Sequence, residues 1–283
     1  MRYRELDKTG EKIPVLGQGT HGIIPNKSKD FYEQWKKSLR LGIKLGMTHI
    51  DTAEKYGDGY SEKIVGELIK EYDRDELFIT TKLLPYHKTK EMMIKAADKS
   101  LKRLGLKYVD LYLIHWLEPY NSINEIINGL ESLVDQGKAR YIGVSNFTLE
   151  EFKEAQKQVK KYELVTNQIE INISNHVHLQ ECLPFYQDQD IILTAYSPLG
   201  GNGLQSIDEN IRKKLKILAN KYNATIYQIA LAWLINHDNI ITIPKAFNLK
   251  HVKENAKAAD IILKKSEIKD FYVKMINGYV WSK

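Results

Sequence analysis

The 283-residue sequence contains one cysteine, Cys182, so no internal disulfide framework is available and a reducing compartment is expected. It has no long apolar run: residues 229–235 form the longest, far short of the roughly 20 residues needed to cross a bilayer, and no membrane partner is expected. The opening stretch, MRYRELDKTGEKIPVLG, lacks an apolar core segment, so no secretory signal is readable and a cytoplasmic location is expected. Arginine is scarce. Lys and Arg total 42 against 36 acids, a net charge of +6, yet arginine occupies only positions 2, 4, 40, 74, 103, 140 and 212. Nucleic-acid binding favours clustered, fork-shaped arginines, whereas these are scattered and the lysines alternate with acids, as in Lys88-Thr89-Lys90-Glu91. The surplus reads as a solvated lysine-rich surface, and no nucleic-acid partner is expected. No Ser/Pro-rich linker or low-complexity tract divides the chain, so residues 1–283 read as a single domain. Nothing in the pattern reports the oligomeric state.

What is present is a repeating unit: a short apolar or β-branched run, a polar or Gly-containing turn, then a helical pattern. Strand candidates fall at 15–19, 48–51, 77–82, 109–115, 139–145, 164–170, 191–197 and 240–243. Amphipathic stretches such as 31–45, 90–104, 123–136 and 149–160 lie between them, with Leu101, Leu104, Ile123, Ile126, Ile127, Leu130 and Leu133 at three- and four-residue steps. Alternating strands and helices argue for a parallel sheet, and eight such units are what a closed (β/α)8 TIM barrel needs. Residues 2–16, with Thr9-Gly10 between two extended pieces, predict a β-hairpin before the barrel. Extra helices are expected in the seventh unit, at 208–222 and 226–236, and at the C-terminus, where 265–276 follows a helix over 249–258.

Gly17-Gln18-Gly19-Thr20-His21-Gly22 spells the GxGxxG of a dinucleotide-binding Rossmann unit. Its context is wrong. Pro25 interrupts any helix beginning at Gly22, and residues 35–50 contain no acid to meet a ribose. The glycines instead read as the first turn out of the barrel.

In such a barrel the chemistry sits where strands end. The second strand ends in Asp51, followed closely by Tyr56; the third ends in Lys82; the fourth runs into His115-Trp116. Each has a bland alternative: Asp51 as a helix cap, Lys82 as a surface lysine, Tyr56 as one of 17 tyrosines, His115 as a core histidine. Together they form a device for protonating an oxygen as charge develops on it. A tyrosine holds its proton at neutral pH, a neighbouring ammonium lowers the cost of releasing it, a carboxylate fixes the ammonium, and a histidine N–H can polarise a carbonyl. The histidines show no ligand spacing and Cys182 stands alone, so no metal is expected; no GxSxG nucleophile appears. Two other readings stay in view: a Schiff-base enzyme acting through Lys82, and a nicotinamide-binding sensor or regulatory subunit with little turnover.

The sequence resembles the aldo-keto reductase family along nearly its whole length. The likeness rests on LGQGT at 16–20, DTAEKYG at 51–57, Thr81-Lys82, LYLIHW at 111–116, GVSNF at 143–147, NQIEIN at 167–172, AYSPLG at 195–200, IPKAF at 243–247 and Glu254-Asn255. The resemblance implies an oxidoreductase that reversibly reduces aldehydes or ketones with NADPH, NADH also being possible. It implies Tyr56 as proton donor, Lys82 as the partner lowering its pKa, Asp51 pairing with Lys82, and His115 directing the carbonyl. It further implies that Ser145, Asn146 and Gln168 hold the nicotinamide carboxamide, with Tyr196 stacked on the ring. Gly19, Thr20 and Asp51 would lie near the ribose, and Ser197, Leu199 and Gly201 near the pyrophosphate. Lys245, Ala246, Asn248 and His251 would face the 2′-phosphate, and Glu254 and Asn255 the adenine. Two positions depart from the family pattern: Ala246 stands where Ser is common and His251 where Arg is common, which weakens the phosphate grip. The substrate, a small-molecule carbonyl, would meet His21, Ile23, Tyr56, Leu83, His115 and Trp116, with His21 where relatives often carry Trp. The short tail after residue 276 implies an open pocket.

Overall fold

The computed structural model describes residues 1–6, 9–272, 275–276 and 279–280. The chain opens with a hairpin, β1 (Tyr3–Glu5) against β2 (Lys12–Pro14), as the Thr9-Gly10 turn predicts. Eight parallel strands follow: β3 (Gln18–Gly19), β4 (His49–Asp51), β5 (Phe78–Leu83), β6 (Val109–Ile114), β7 (Ala139–Ser145), β8 (Leu164–Glu170), β9 (Ile192–Tyr196) and β10 (Ile240–Thr242). Each pairs with its sequence neighbour, and a parallel bridge between Leu16 and Thr242 joins the last strand to the first. Gly17 N donates to Thr242 O at 2.8 Å and Thr242 N to Val15 O at 2.9 Å, which closes the barrel. The expected first strand at 15–19 is therefore shared between this seam and β3.

The helices between strands are α1 (Lys29–Lys44), α2 (Tyr60–Ile69), α3 (Lys90–Leu104), α4 (Ile123–Asp135), α5 (Leu149–Gln158) and α6 (Val177–Asp188). The seventh unit holds two, α7 (Glu209–Lys221) and α8 (Ile226–Ile235), and α9 (Leu249–Ala258) and α10 (Lys265–Lys269) follow β10. Their starts are written in the sequence. Ser28, Thr89, Ser122, Thr148, Asp208, Thr225 and Asn248 each accept a backbone N–H of the first turn, an interaction worth about 1 kcal/mol per helix. The helix expected over 265–276 stops at Lys269. Beyond that end Phe271 packs into the main core and the half-buried Tyr272 reaches His237 at 2.9 Å. Met275–Ile276 then pair with Tyr279–Val280, and the expected short tail at 277, 278 and 281–283 lies outside the described residues.

Alternation along the strands sets up the site. Ile79 and Leu83 of β5 and Tyr112 and Ile114 of β6 face the helix layer, so Phe78, Thr80 and Lys82 face the barrel axis. The interior is graded along that axis. Its floor is apolar, with Phe78, Leu111, Leu113, Val165, Ile192 and Ile241 sealed below by Leu6 and Ile13 of the hairpin region. The middle is polar, with His49 against Thr80 at 2.9 Å and Thr166 against Thr194 at 3.0 Å. The mouth carries charge.

Candidate active site

At the C-terminal mouth of the strands a cavity of about 800 Å³ opens, and its wall includes Gly19, His21, Asp51, Tyr56, His115, Trp116, Ser145, Asn146, Gln168, Tyr196, Ser197, Leu199, Gly201 and Lys245. Asp51 ends β4 opposite Thr80, and Lys82 lies two residues further along β5; Asp51 and Lys82 are both about 1% exposed. Lys82 Nζ donates to Asp51 Oδ1 at 2.5 Å, to Thr52 O at 2.9 Å and to Tyr56 Oη at 3.3 Å. Burial would strip the ammonium of its charge, but Asp51 and Tyr56 outweigh it and raise Lys82 above the ordinary lysine range. A fully buried, charged and triply bonded amine is the opposite of what Schiff-base chemistry requires.

Tyr56 reaches Lys82 because its loop is tightly made. Gly57 has φ +58°, and a Cβ there would stand 2.6 Å from Ile23 O, so a side chain is excluded by both strain and contact. Glu54 ties the same loop to the one after β5, accepting Leu84 N at 2.5 Å and facing His87 Nε2 at 2.9 Å. Behind it, Thr52, Ser61 and Thr20 form a hydroxyl chain ending on Asp51 O. Lys82 does pull the Tyr56 pKa down, as expected, but it is not the largest influence on it. Burial dominates and raises the phenol above its ordinary value; Lys82 pulls it back only in part, and Asp51 adds to the rise.

Two imidazoles complete the mouth. His115 is pushed down to about 3 by burial, with the charges of Lys82, Lys55 and the neighbouring His21 adding to the effect, so its ring is neutral and carries one N–H. Its Nδ1 is buried and meets no hydrogen-bond partner among the described residues. Tyr56 stands edge-on between His21, at 5.1 Å between ring centres, and His115, at 5.7 Å. Trp116 extends this wall, 4.8 Å from His115.

The remaining groups on the wall are fixed mainly by each other. Gln168 Nε2 donates to Asp51 Oδ2 at 2.8 Å, Ser145 Oγ to Gln168 O at 2.8 Å, and Tyr196 Oη to Asn146 Oδ1 at 2.7 Å. Asn146 and Ser197 sit at φ +59° and +47°; Asn tolerates this region, whereas Ser197 stores strain of about 1 kcal/mol at the cavity edge. Nothing lies within 4 Å of a Cβ built on Gly201, so that stretch of backbone is open to a ligand.

Several expected residues are elsewhere. Ile23 does not line the cavity; it packs fully buried against Trp35 and Ile64. Leu83 also fails, because Lys82 faces the axis and the next residue on a strand must face the helices. Thr20 lies behind the wall, its hydroxyl engaged with Asp51 O and Ser61. Ala246, Asn248, His251, Glu254 and Asn255 lie beyond the cavity wall, on α9 and the turn leading into it, where Asn248 caps the helix. Conversely, Lys55, Gly22, Ile24, Gly57, Ile243 and Pro244 line the cavity without having been singled out. Lys55 had a readable signal, a cation beside Tyr56 in the same strand-end motif; Ile243 and Pro244 open the IPKAF motif but were given no role there. Among the described residues no helix is long and apolar enough to cross a membrane, and no group of three or more His, Cys, Asp or Glu could hold a metal ion.

The profile of the aldo/keto reductase family matches residues 16–273. Methylglyoxal reductase YeaE of Escherichia coli is 33% identical over 271 residues, covering 95% of this chain and 93% of that protein. A thermostable aldo-keto reductase solved with the inhibitor epalrestat superposes with a TM-score of 0.90 at 40% identity, covering 96% of this chain and 98% of the other. An aldo/keto reductase from Klebsiella pneumoniae, solved with NADP and acetate, gives 0.86 at 32% identity, covering 96% and 94%. The chain therefore belongs to the aldo/keto reductase family.

Proposed function

We propose that the protein is an NADP(H)-dependent oxidoreductase that interconverts aldehydes or ketones and their alcohols at the mouth of its barrel. The observation that carries this reading is the buried Lys82 ammonium, held by Asp51 at 2.5 Å and set 3.3 Å from the Tyr56 hydroxyl beside a neutral His115. A nicotinamide held there would supply the hydride to the carbonyl carbon. The side chains manage the oxygen. Tyr56 gives it a proton as negative charge develops, and the resulting phenolate is stabilised by Lys82. Asp51 and Thr52 O hold the ammonium in place, and the single N–H of His115 donates to the same carbonyl oxygen, fixing which face is presented. In alcohol oxidation the Tyr56 phenolate accepts the proton.

The chain's residues fit a dinucleotide. Ser145, Asn146 and Gln168 offer hydroxyl and amide groups for a carboxamide, and Tyr196, anchored by Asn146, offers a ring face. Gly19 and Asp51 border the ribose position, while Thr20 acts by holding the Asp51 backbone. Ser197, Leu199 and the open Gly201 backbone suit a pyrophosphate. Exposed Lys245 supplies the cation for a 2′-phosphate, with Ala246, Asn248 and His251 beside it and Glu254 and Asn255 toward adenine. Residues 1–283 act as one domain in this reading, in a cytoplasmic setting that suits the buried free thiol of Cys182. NADPH oxidation against small aldehydes, ketones and dicarbonyls, headed by methylglyoxal and repeated with NADH, tests it. Carbonyl-dependent oxidation of NADPH is expected; its absence across the panel overturns the reading, and equal kcat/KM with NADH removes the NADP preference.

A further inference from the structure

Among the described residues, the one lysine or arginine on the cavity wall that neither the proton-delivery set nor the proposed phosphate grip uses is Lys55. It directly precedes Tyr56 in the loop and lines the cavity. Its ammonium lies 4.2 Å from the centre of the Trp116 ring, on the aromatic wall that continues through His115 to Tyr56. That contact orients the charge without neutralising it, because a ring face offers a quadrupole and not an anion. No carboxylate among the described residues forms an ion pair with Lys55. The nearby acids are committed: Glu54 to Leu84 N and His87, and Glu118 to the Trp116 indole N–H at 2.7 Å. Asp51, the only carboxylate among the cavity-lining residues, is held by Lys82 and Gln168. The Lys55 charge is felt at the reacting end, where it helps keep both His115 and His21 deprotonated.

We infer that Lys55 is a substrate-binding residue that selects carbonyl compounds carrying an anionic group, a carboxylate or phosphate, a few carbons from the reacting carbonyl. Lys245 does not serve this purpose. Its Nζ stands 3.6 Å from a Cβ built on Gly22 and its charge also lowers the pKa of the neighbouring His21, but the reductase reading assigns it to the cofactor phosphate, whereas Lys55 lies over Trp116, beside His115. With the carbonyl oxygen between Tyr56 and His115, a short chain laid along the His115 and Trp116 rings brings its far end to the Lys55 ammonium. The ammonium then exchanges a ring face for a charged hydrogen bond.

The inference rests on the reductase reading, and the test separates the two. The kcat/KM for 4-oxobutanoate is compared with that for 4-methylpentanal, a neutral aldehyde of the same shape, with NADPH. The wild type is expected to favour the anion by about tenfold, the scale of one hydrogen bond to a charged group. The preference should appear in KM and shrink as salt is raised. Lys55→Met should bring the ratio close to one and Lys55→Arg should retain it. Calorimetry of succinate with the NADP⁺-bound protein gives a readout without turnover, binding in the wild type and Lys55→Arg and weakening about tenfold in Lys55→Met. Equal kcat/KM for the two aldehydes in the wild type, or a ratio unchanged in Lys55→Met, overturns the inference and leaves the reductase reading intact. Turnover of neither aldehyde with Lys55-dependent succinate binding overturns the reductase reading and keeps the anion site.

Discussion

Two of the buried acid–cation clusters among the described residues are built to opposite ends. Near the lower end, Asp110 at the start of β6 is 1% exposed and accepts Arg74 Nη2 at 2.5 Å, Ile79 N at 2.7 Å and Arg140 Nη1 at 2.9 Å. At the mouth, Asp51 is equally buried and meets Lys82 at 2.5 Å and Gln168 at 2.8 Å. The first set holds only permanent donors, two guanidiniums and a backbone amide, beside a smaller cavity of about 320 Å³ that Arg140 lines. The second includes a phenol whose proton can leave, and it faces open volume. Burial and ion pairing are common to both, so they do not distinguish a structural brace from a catalytic group. The distinguishing feature is a titratable neighbour with somewhere to send its proton.

This contrast is breakable. Tyr56→Phe removes the transferable proton while keeping the ring between His21 and His115, and carbonyl reduction should fall by about 10²- to 10⁴-fold. NADPH affinity, read by quenching of tryptophan fluorescence, should be retained; near-wild-type kcat would erase the difference between the clusters. Asp110→Ala should do the reverse. It leaves two guanidiniums without their buried partner and should cost about 3 kcal/mol in urea unfolding, with the pH dependence of kcat unchanged. A shifted pH profile in that variant would mean that the brace is coupled to the chemistry.

The titrations sharpen the comparison further. The Tyr56 phenol is held above the usual tyrosine value near 10, because burial outweighs Lys82, so reduction should lose rate only above about pH 10. Alcohol oxidation, which needs the phenolate, should rise over the same range; a reduction limb near neutrality would contradict the assignment. The smallest expected effect is on acid stability. Fully buried His49, below the mouth, is lowered from 6.5 to about 3, chiefly by burial and then by Lys82. The unfolded chain takes up a proton there first, so stability is lost as pH falls through 6.5 toward 3. His49→Gln should flatten the fall of Tm with acid, leaving the slope due to His21, His115, His176 and His237, which are lowered as well; an unchanged slope would exclude His49 as a source.

Much of this was readable from residues close in sequence. The helices at 90–104, 123–136 and 149–160 were legible from their amphipathic patterns alone, and the caps that fix the starts, Thr89, Ser122 and Thr148, act within one helical turn. Asp51, Tyr56, Lys82 and His115 were legible because strand ends point to one face of a parallel barrel, whatever its details. Helices α2 and α6 were harder: α2 follows Gly57-Asp58-Gly59 and α6 carries Pro184 inside it, and both features imitate loops. The helix expected beyond Lys269 could not be excluded from periodicity alone, because its end depends on Tyr272 meeting His237 across the fold.

By itself, then, the amino-acid order determined the alternation of strand and helix, the closure into eight units and the chemical types at the strand ends, all through local periods and caps. Only the tertiary structure decided which neighbour faces the axis: Lys82 inward and Leu83 outward, Ile23 into a side core, Lys55 onto Trp116. It also decided the sign of the Tyr56 shift. Proton affinity in a buried site depends on how completely distant segments exclude water, and Tyr56, Lys82 and Gln168 are brought together from separate strands and loops. Spacing along the chain carries no record of that exclusion.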